Sequence, residues 1–306
     1  MDHPSRIAAN HSFPDTIQCK LRHKIGIRSL KQEKFLRKNH RFFDYSLSNV
    51  KGRMPPAGLE RNMTRYAVIS DIHSNQEALD AVLADMGDQG FDRLLCCGDL
   101  VGYGPNPTYC IERFREVQEK YGQVPCILGN HDHAVVTGIL IGFNPEAAVA
   151  AKWTREQITQ TNFRRLSRFV WRWTEDNLFL THSSPETPEE WEYLYAPSRI
   201  STQFNYFEQE ICFVGHTHQP YVFVQGTDRL LTVDEFQVPD GVRCIVNCGS
   251  VGQPRDGDPR ASYCLYDSNK RLLQFRRVEY DFNLTLTKII NSGLPEILGR
   301  RLEYGY

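Results

Sequence analysis

The chain has 306 residues, about twice the ~150 of a typical domain, which allows one large domain or one domain with an extension. At 41% hydrophobic and 24% charged residues with a net charge of -1, it is neither a disordered chain nor a set of membrane spans. No apolar run approaches the ~18 residues of a spanning helix, and Met1-Asp2-His3-Pro4 lacks the basic-then-apolar pattern of a secretory leader, so a cytoplasmic location and no membrane partner are expected.

Residues 1–62 differ from the rest of the chain. They hold 13 Lys and Arg against 5 Asp and Glu (+8), whereas residues 63–306 hold 23 against 32 (-9). Pro4, Pro14, Pro55 and Pro56 and scattered apolar positions give no sustained period, so a basic, poorly ordered N-terminal extension is expected. Such an arm can bind nucleic acid or an acidic surface. A solvated tail, or a true start at Met63, is the preferred reading because basic runs are weak motifs. The activity is assigned to residues 63–306.

From Met63 apolar runs alternate with amphipathic segments. Tyr66 to Ser70 reads as a buried strand, followed by a capping box, Ser74 to Glu77, and a helix carrying Leu79, Val82, Leu83 and Met86 that ends at Gly87 and Gly90. Arg93 to Cys97 is the next strand. Asn106-Pro107 opens a helix with Ile111, Phe114 and Tyr121 on one side, and Val124 to Leu128 is a third strand. This β-α-β-α-β order implies a parallel sheet covered by helices. Two helices are expected over 145–173, the second with Phe163, Leu166, Phe169, Val170 and Trp173 on a packed stripe and Arg164, Arg165, Arg168 and Arg172 on a solvated face. Strand-like runs then dominate: 178–181, 211–214, 221–224, 229–233, 243–246, 263–266 and 272–278. The nine cysteines form no CxxC pair and sit mostly in apolar runs, so they read as buried free thiols of a reducing compartment.

Polar clusters come directly after these strands: Asp71-Ile72-His73, Gly98-Asp99, Gly129-Asn130-His131-Asp132, His182, and Gly215-His216-Thr217-His218. Ligands bind beyond the carboxyl ends of strands in open α/β sheets, so the clusters are aimed at one place. Of the six histidines after residue 62, five fall in these clusters and only His133 is left over. Each cluster alone would pass for a turn or an ordinary polar residue; their order and exclusivity point to a metal site. Oxygen and nitrogen donors suit Zn, Mn or Fe rather than calcium. Seven candidates suffice for two divalent ions, with Asp99 as the shared carboxylate between them, generating hydroxide at neutral pH for attack on a phosphate ester. Four cationic charges less Asp71, Asp99 and the hydroxide leave the site positive toward an anionic ester. His131 would act on the leaving oxygen as general acid or oxyanion donor, with Asp132 holding its tautomer.

The ordered set DxH, GD, GNHD, H and GHTH resembles the calcineurin-like metallophosphoesterase superfamily. The stretches Gly98 to Pro105 and Asn247 to Arg255 are similar to its small bacterial YfcE-like branch of phosphoesterases. The resemblance implies a four-layer αββα sandwich of two mixed sheets. It implies Asp71, His73, Asp99 and His218 around one metal (Mn, Fe, Zn or Ni), Asp99, Asn130, His182 and His216 around the second, and His131 as the catalytic histidine. Protein phosphatases of the superfamily carry an Arg soon after GD and a Glu at the end of the third motif. Here Gly102-Tyr103-Gly104 and Asp132 stand instead, which favours other substrates. Bacterial dinucleoside tetraphosphate hydrolases carry an Arg where this chain has Tyr103. Arg255 and Arg260 are either a phosphate clamp or a salt-bridged surface loop. The function expected is hydrolysis of a phosphodiester in a phosphorylated small molecule or nucleotide-type substrate. A phosphomonoesterase or protein phosphatase is the alternative, and a scaffold on the same fold a distant third.

Overall fold

The computed structural model describes residues 64–122 and 124–306; the expected N-terminal extension over 1–62 lies outside them. Ten strands form two five-stranded sheets. The first has the order β2-β1-β9-β10-β7, from β1 (Arg65–Ile69), β2 (Arg93–Cys96), β7 (Glu235–Gln237), β9 (Ala261–Asp267) and β10 (Leu272–Val278). The second has the order β3-β4-β5-β8-β6, from β3 (Arg172–Glu175), β4 (Leu178–Thr181), β5 (Ile211–Val214), β6 (Tyr221–Val224) and β8 (Cys244–Asn247). Pairs β1–β2, β4–β5 and β5–β8 are parallel and the rest antiparallel, so both sheets are mixed.

Alternation along the strands sorts the side chains into layers. Tyr66, Val68 and Leu95 of the first sheet meet Leu180, Phe213 and Val246 of the second in a core between the sheets. The alternate residues Ala67, Ile69 and Leu94 face Leu79, Val82 and Met86 of α1 (Gln76–Gln89) and Ile111 and Phe114 of α2 (Pro107–Lys120). On the far side, Phe179, Cys212 and Ile245 pack on Ile200 of α6 (Pro197–Gln203) and on Leu194, Phe204 and Phe207. Strands buried on both faces must be apolar throughout, which is why they read as unbroken hydrophobic runs. The result is the expected αββα sandwich. Tyr103 is buried in a further cluster with Ala147 and Ala150 of α4 (Pro145–Gln157), Ile289 of α7 (Phe282–Asn291) and Leu298 of α8 (Ile297–Arg300). All eight described cysteines are free and buried.

Several expected elements differ. Residues 124–128 form only one bridge, Ile127 to Val170, because Pro125 has no N–H with which to extend a ladder. The second helix of 145–173 stops early, as α5 (Gln160–Leu166); Trp173, placed on its stripe by sequence, lies in β3 opposite Leu180. Sheet pairing overrides the helical spacing there. Arg165 pairs with Glu112 at 2.5 Å and Arg172 donates to the Glu186 carbonyl. In 229–233 only Leu231 bridges, and the strand forms later as β7. The α1 cap is Asn75, whose Oδ1 accepts from Ala78 N at 3.1 Å; Ser74 instead bonds through its own N–H to the Leu100 carbonyl.

Candidate metal centre

The clusters converge. Asp71 and His73 follow β1, Asp99 follows β2, Asn130 and His131 open α3 (Asn130–Thr137), His182 follows β4, and His216 and His218 follow β5. Ligand-sized groupings of their donor atoms are Asp71–His73–His218, Asp99–His182–His216 and His73–Asp99–His131, each within 4.8 Å. Asp99 is common to two of them. Asp71, His73, Asp99, His216 and His218 all adopt positive φ, between 49° and 65°. This region costs a non-glycine residue roughly 1–3 kcal/mol, so the surroundings must hold it. They do: Asp71 N bonds Gly98 O at 2.9 Å, His73 N bonds Asp99 O at 3.0 Å, and the two loops brace each other.

Each carboxylate is half committed. Asp71 Oδ2 accepts from His216 N at 3.0 Å and Asp99 Oδ1 from His131 N at 2.8 Å. Asp71 Oδ1 and Asp99 Oδ2 remain directed at the histidines, with His218 Nε2 3.2 Å from the former and His182 Nε2 3.4 Å from the latter. Glycines permit this approach. A Cβ on Gly215 would stand 2.5 Å from Asp71 Oδ2, and one on Gly129 2.6 Å from Asp99 Cγ, although neither glycine has a positive φ.

Each of the four candidate ligand histidines has one ring nitrogen against a backbone carbonyl. His73 Nδ1 faces Val101 O at 3.2 Å, His182 Nδ1 faces Cys97 O at 2.7 Å, His218 Nδ1 faces Gln253 O at 2.5 Å, and His216 Nε2 faces Trp191 O at 2.8 Å. A carbonyl only accepts, so each of these nitrogens carries the proton and the other presents its lone pair to the site. The lone pairs of His73 and His218 thus face each other, Nε2 to Nε2, at 3.1 Å. Asp71 Oδ1, Asn130 Oδ1 and His182 Nε2 are buried without a hydrogen-bond partner. Opposed lone pairs and unpartnered buried acceptors are what a divalent cation satisfies, and the residues fit one.

The electrostatics agree. Burial works to raise both carboxyls but is outweighed, holding Asp71 well below the ordinary range through the His218 charge and hydrogen bonds, and Asp99 likewise through His182 and His131. Burial would lower His182, yet the Asp99 and Asp71 carboxylates push it up to about 10. Burial carries His216 down to about 3, with repulsion from His182 adding, and His218 down to about 4, with Arg255 adding. The two carboxylates therefore keep their charge and attract positive charge, as a proton or as a cation, to His182 and the space beside it.

His131 is wedged against the tilted rings of Tyr103 (4.2 Å between ring centres) and Phe143 (4.8 Å) and edge-on to His73 (4.8 Å), and its Nδ1 has no partner. Burial lowers its pKa strongly. Asp132, which sequence placed on this ring, instead accepts from Val101 N at 3.1 Å and Gly129 N at 3.2 Å. From the third position of α3 it reaches back to cap the helix start, and it positions the GD and GNHD loops rather than the imidazole. Burial and then Asp99 raise its carboxyl to about 8.

The 247–255 stretch braces the ligand loops. Asn247 Nδ2 donates to Gly215 O at 2.6 Å and Thr217 Oγ1 at 2.9 Å, and Ser250 Oγ donates to Asp71 O at 2.8 Å. Arg260 is the surface ion pair, held by Asp258 at 2.7 Å. Arg255 is different, with Nη2 on Gln253 Oε1 at 2.8 Å and Tyr103 Oη at 3.3 Å. The carbonyl partners at residues 97, 101, 191 and 253 carried no signal in the sequence, since any residue offers one. Tyr193, stacked on His216 at 4.0 Å, was also missed.

This fold and this donor set define a metal-dependent phosphoesterase. The model of the calcineurin-like phosphoesterase superfamily domain matches residues 64–271, and the chain belongs to that superfamily. It is a hydrolase of phosphate ester bonds, in a family that uses divalent metal ions. Its relatives include an uncharacterised protein of Methanocaldococcus jannaschii, MJ0912, 39% identical over 244 residues, which is 78% of this chain and 97% of that one. The phosphodiesterase YfcE of Escherichia coli is 26% identical over 68% of this chain and 89% of its own length. A metallophosphoesterase from Sphaerobacter thermophilus superposes with TM-score 0.71 at 36% identity, covering 80% of this chain and all of that one.

Proposed function

We propose that the chain is a two-metal phosphodiesterase. The observation that carries this reading is the pair of donor sets meeting at Asp99, with Asp71, His73 and His218 on one side and His182 and His216 on the other. Asn130 completes the second set through its unpartnered Oδ1. Divalent ions held there would polarise phosphoryl oxygens and make a water acidic enough to act at neutral pH. His131, fixed by Tyr103 and Phe143, stands beside the donor sets to donate a hydrogen bond to the leaving oxygen. YfcE, named as a phosphodiesterase, supports the diester over the monoester. Buried free cysteines support a reducing, cytoplasmic location.

The test uses bis(p-nitrophenyl) phosphate against p-nitrophenyl phosphate with manganese, and with chelator as control. Faster, chelator-sensitive turnover of the diester is expected, and metal analysis should find two ions per chain, falling in Asp99→Asn together with the rate. A monoester preference, or a fully active Asp99→Asn protein, would overturn the reading.

A further inference from the structure

Arg255 sits half-buried at the metal centre without a carboxylate partner, and its Nε is buried with no hydrogen-bond partner. Other arginines of this part of the chain are satisfied: Arg260 by Asp258, Arg277 by Asp256 and, at the far end of the sheet, Arg271 by Glu210. Arg301 repeats the pattern of Arg255. Its neighbour Leu302 packs in the same cluster as Tyr103, which Arg255 Nη2 reaches at 3.3 Å, and its own Nε is also buried and unpartnered; repulsion from Arg255 adds to burial in lowering its pKa. Among the described residues neither guanidinium has a carboxylate within ion-pairing distance, although the Asp71 charge acts on Arg255 and that of Glu146 on Arg301, and two such cations on either side of Tyr103 make a place for an anion.

Beside them is an aromatic surface that packing does not explain. Tyr193 and Tyr195 stack in parallel, 5.5 Å between ring centres and 3° between planes, and are 47% and 44% exposed. Tyr193 also lies on the His216 ring, so the pair begins at a metal ligand and runs outward. Arg255 N donates to the His218 carbonyl at 3.2 Å and Tyr193 covers His216 two residues earlier, which puts the pair and Arg255 on the same loop of the centre. Exposed parallel rings leading away from a phosphoryl-transfer centre offer a π-face to a flat group attached to the phosphate.

We propose that Tyr193, Tyr195, Arg255 and Arg301 form a nucleotide subsite, in which the tyrosines stack the base and the arginines hold phosphate oxygens that the metals do not. The inference rests on the phosphodiesterase reading and gives it a substrate class, a phosphate ester of a nucleoside.

Calorimetry with the manganese-loaded full chain tests it, using adenosine 5′-monophosphate and ribose 5-phosphate as probes. Base stacking predicts binding of the nucleotide about 10-fold tighter than the sugar phosphate. Tyr195→Ala should abolish that preference while Tyr195→Phe keeps it, and Arg255→Ala and Arg301→Ala should weaken both probes alike. Equal binding of the two probes, a preference that survives Tyr195→Ala, or unchanged ribose 5-phosphate binding in both arginine variants would overturn the proposal. Diester turnover on the same samples separates the two readings. Turnover without base preference rejects the subsite alone, whereas base preference without turnover upholds the subsite and rejects the phosphodiesterase.

Discussion

Replacing Gly129 by alanine isolates close packing from backbone conformation. Gly129 has φ -89° and ψ 169°, extended geometry that alanine adopts freely. Through the unfolded chain alone the change should therefore stabilise by about 0.4–1 kcal/mol. The added Cβ would, however, stand 2.6 Å from Asp99 Cγ, where ordinary carbon contacts are ~3.5 Å, so one must move by roughly 1 Å. Asp99 cannot retreat without losing the 2.8 Å bond from His131 N, and overpacking of this kind costs about 1–3 kcal/mol. At about 2–4 °C per kcal/mol the melting temperature should fall by several degrees. Manganese affinity, measured by competition with a chromogenic chelator, should drop about 10- to 100-fold, as when a ligand's support is disturbed. Gly87→Ala is the opposed control: exposed within α1, with nothing within 4 Å of the new Cβ, it should stabilise by about 0.5–1 kcal/mol. A Gly129→Ala protein with wild-type melting and metal affinity would refute the argument that this glycine exists for the approach of Asp99.

The same geometry sets two further outcomes. Removing metal with chelator should lower the melting temperature, by the equivalent of ~2.7 kcal/mol from a state at 100 times the dissociation constant; differential scanning fluorimetry with and without manganese measures it, and coincident curves would count against the centre. Away from the site, burial raises the Asp85 carboxyl but hydrogen bonds from Arg276 (2.7 Å) and Tyr263 (2.6 Å) more than offset it, leaving its pKa lowered. Its stabilisation is therefore fully present above the unfolded value of ~3.9 and is lost as pH falls through the folded one. The difference in urea stability between the parent chain and Asp85→Asn should be constant above about pH 5 and shrink below pH 4; a difference independent of pH would contradict the assignment.

What could be read from the sequence divides along a physical line. Strands buried on both faces, such as β1, β4 and β5, announce themselves as apolar runs, and the candidate metal donors lie directly after them because strand ends converge. Helix spacing misled where it coincided with strand pairing: Phe169, Val170 and Trp173 fit a stripe, yet tertiary pairing with β4 claims Trp173. Pro125 was the readable warning against a third full strand. In the site, the candidate donor side chains that the fold brings together were legible by chemical type. The role given to Asp132 was not, because whether an N3 carboxylate caps its helix or turns to a neighbouring ring depends on backbone positions that spacing alone does not fix.

The four histidines lean on carbonyls of Cys97, Val101, Trp191 and Gln253, not on side chains. Support of this kind is indifferent to the letter at the supporting position and sensitive to the count of residues around it. Many single substitutions at 97, 101, 191 or 253 can leave the imidazoles correctly turned, provided the new side chain fits. Deleting or inserting one residue in the same loops would point a different carbonyl, or none, at the ring, and release the tautomer. The centre is thus written into loop length more than into loop composition, and chimeras that exchange these loops should preserve the number of residues before they preserve their identity.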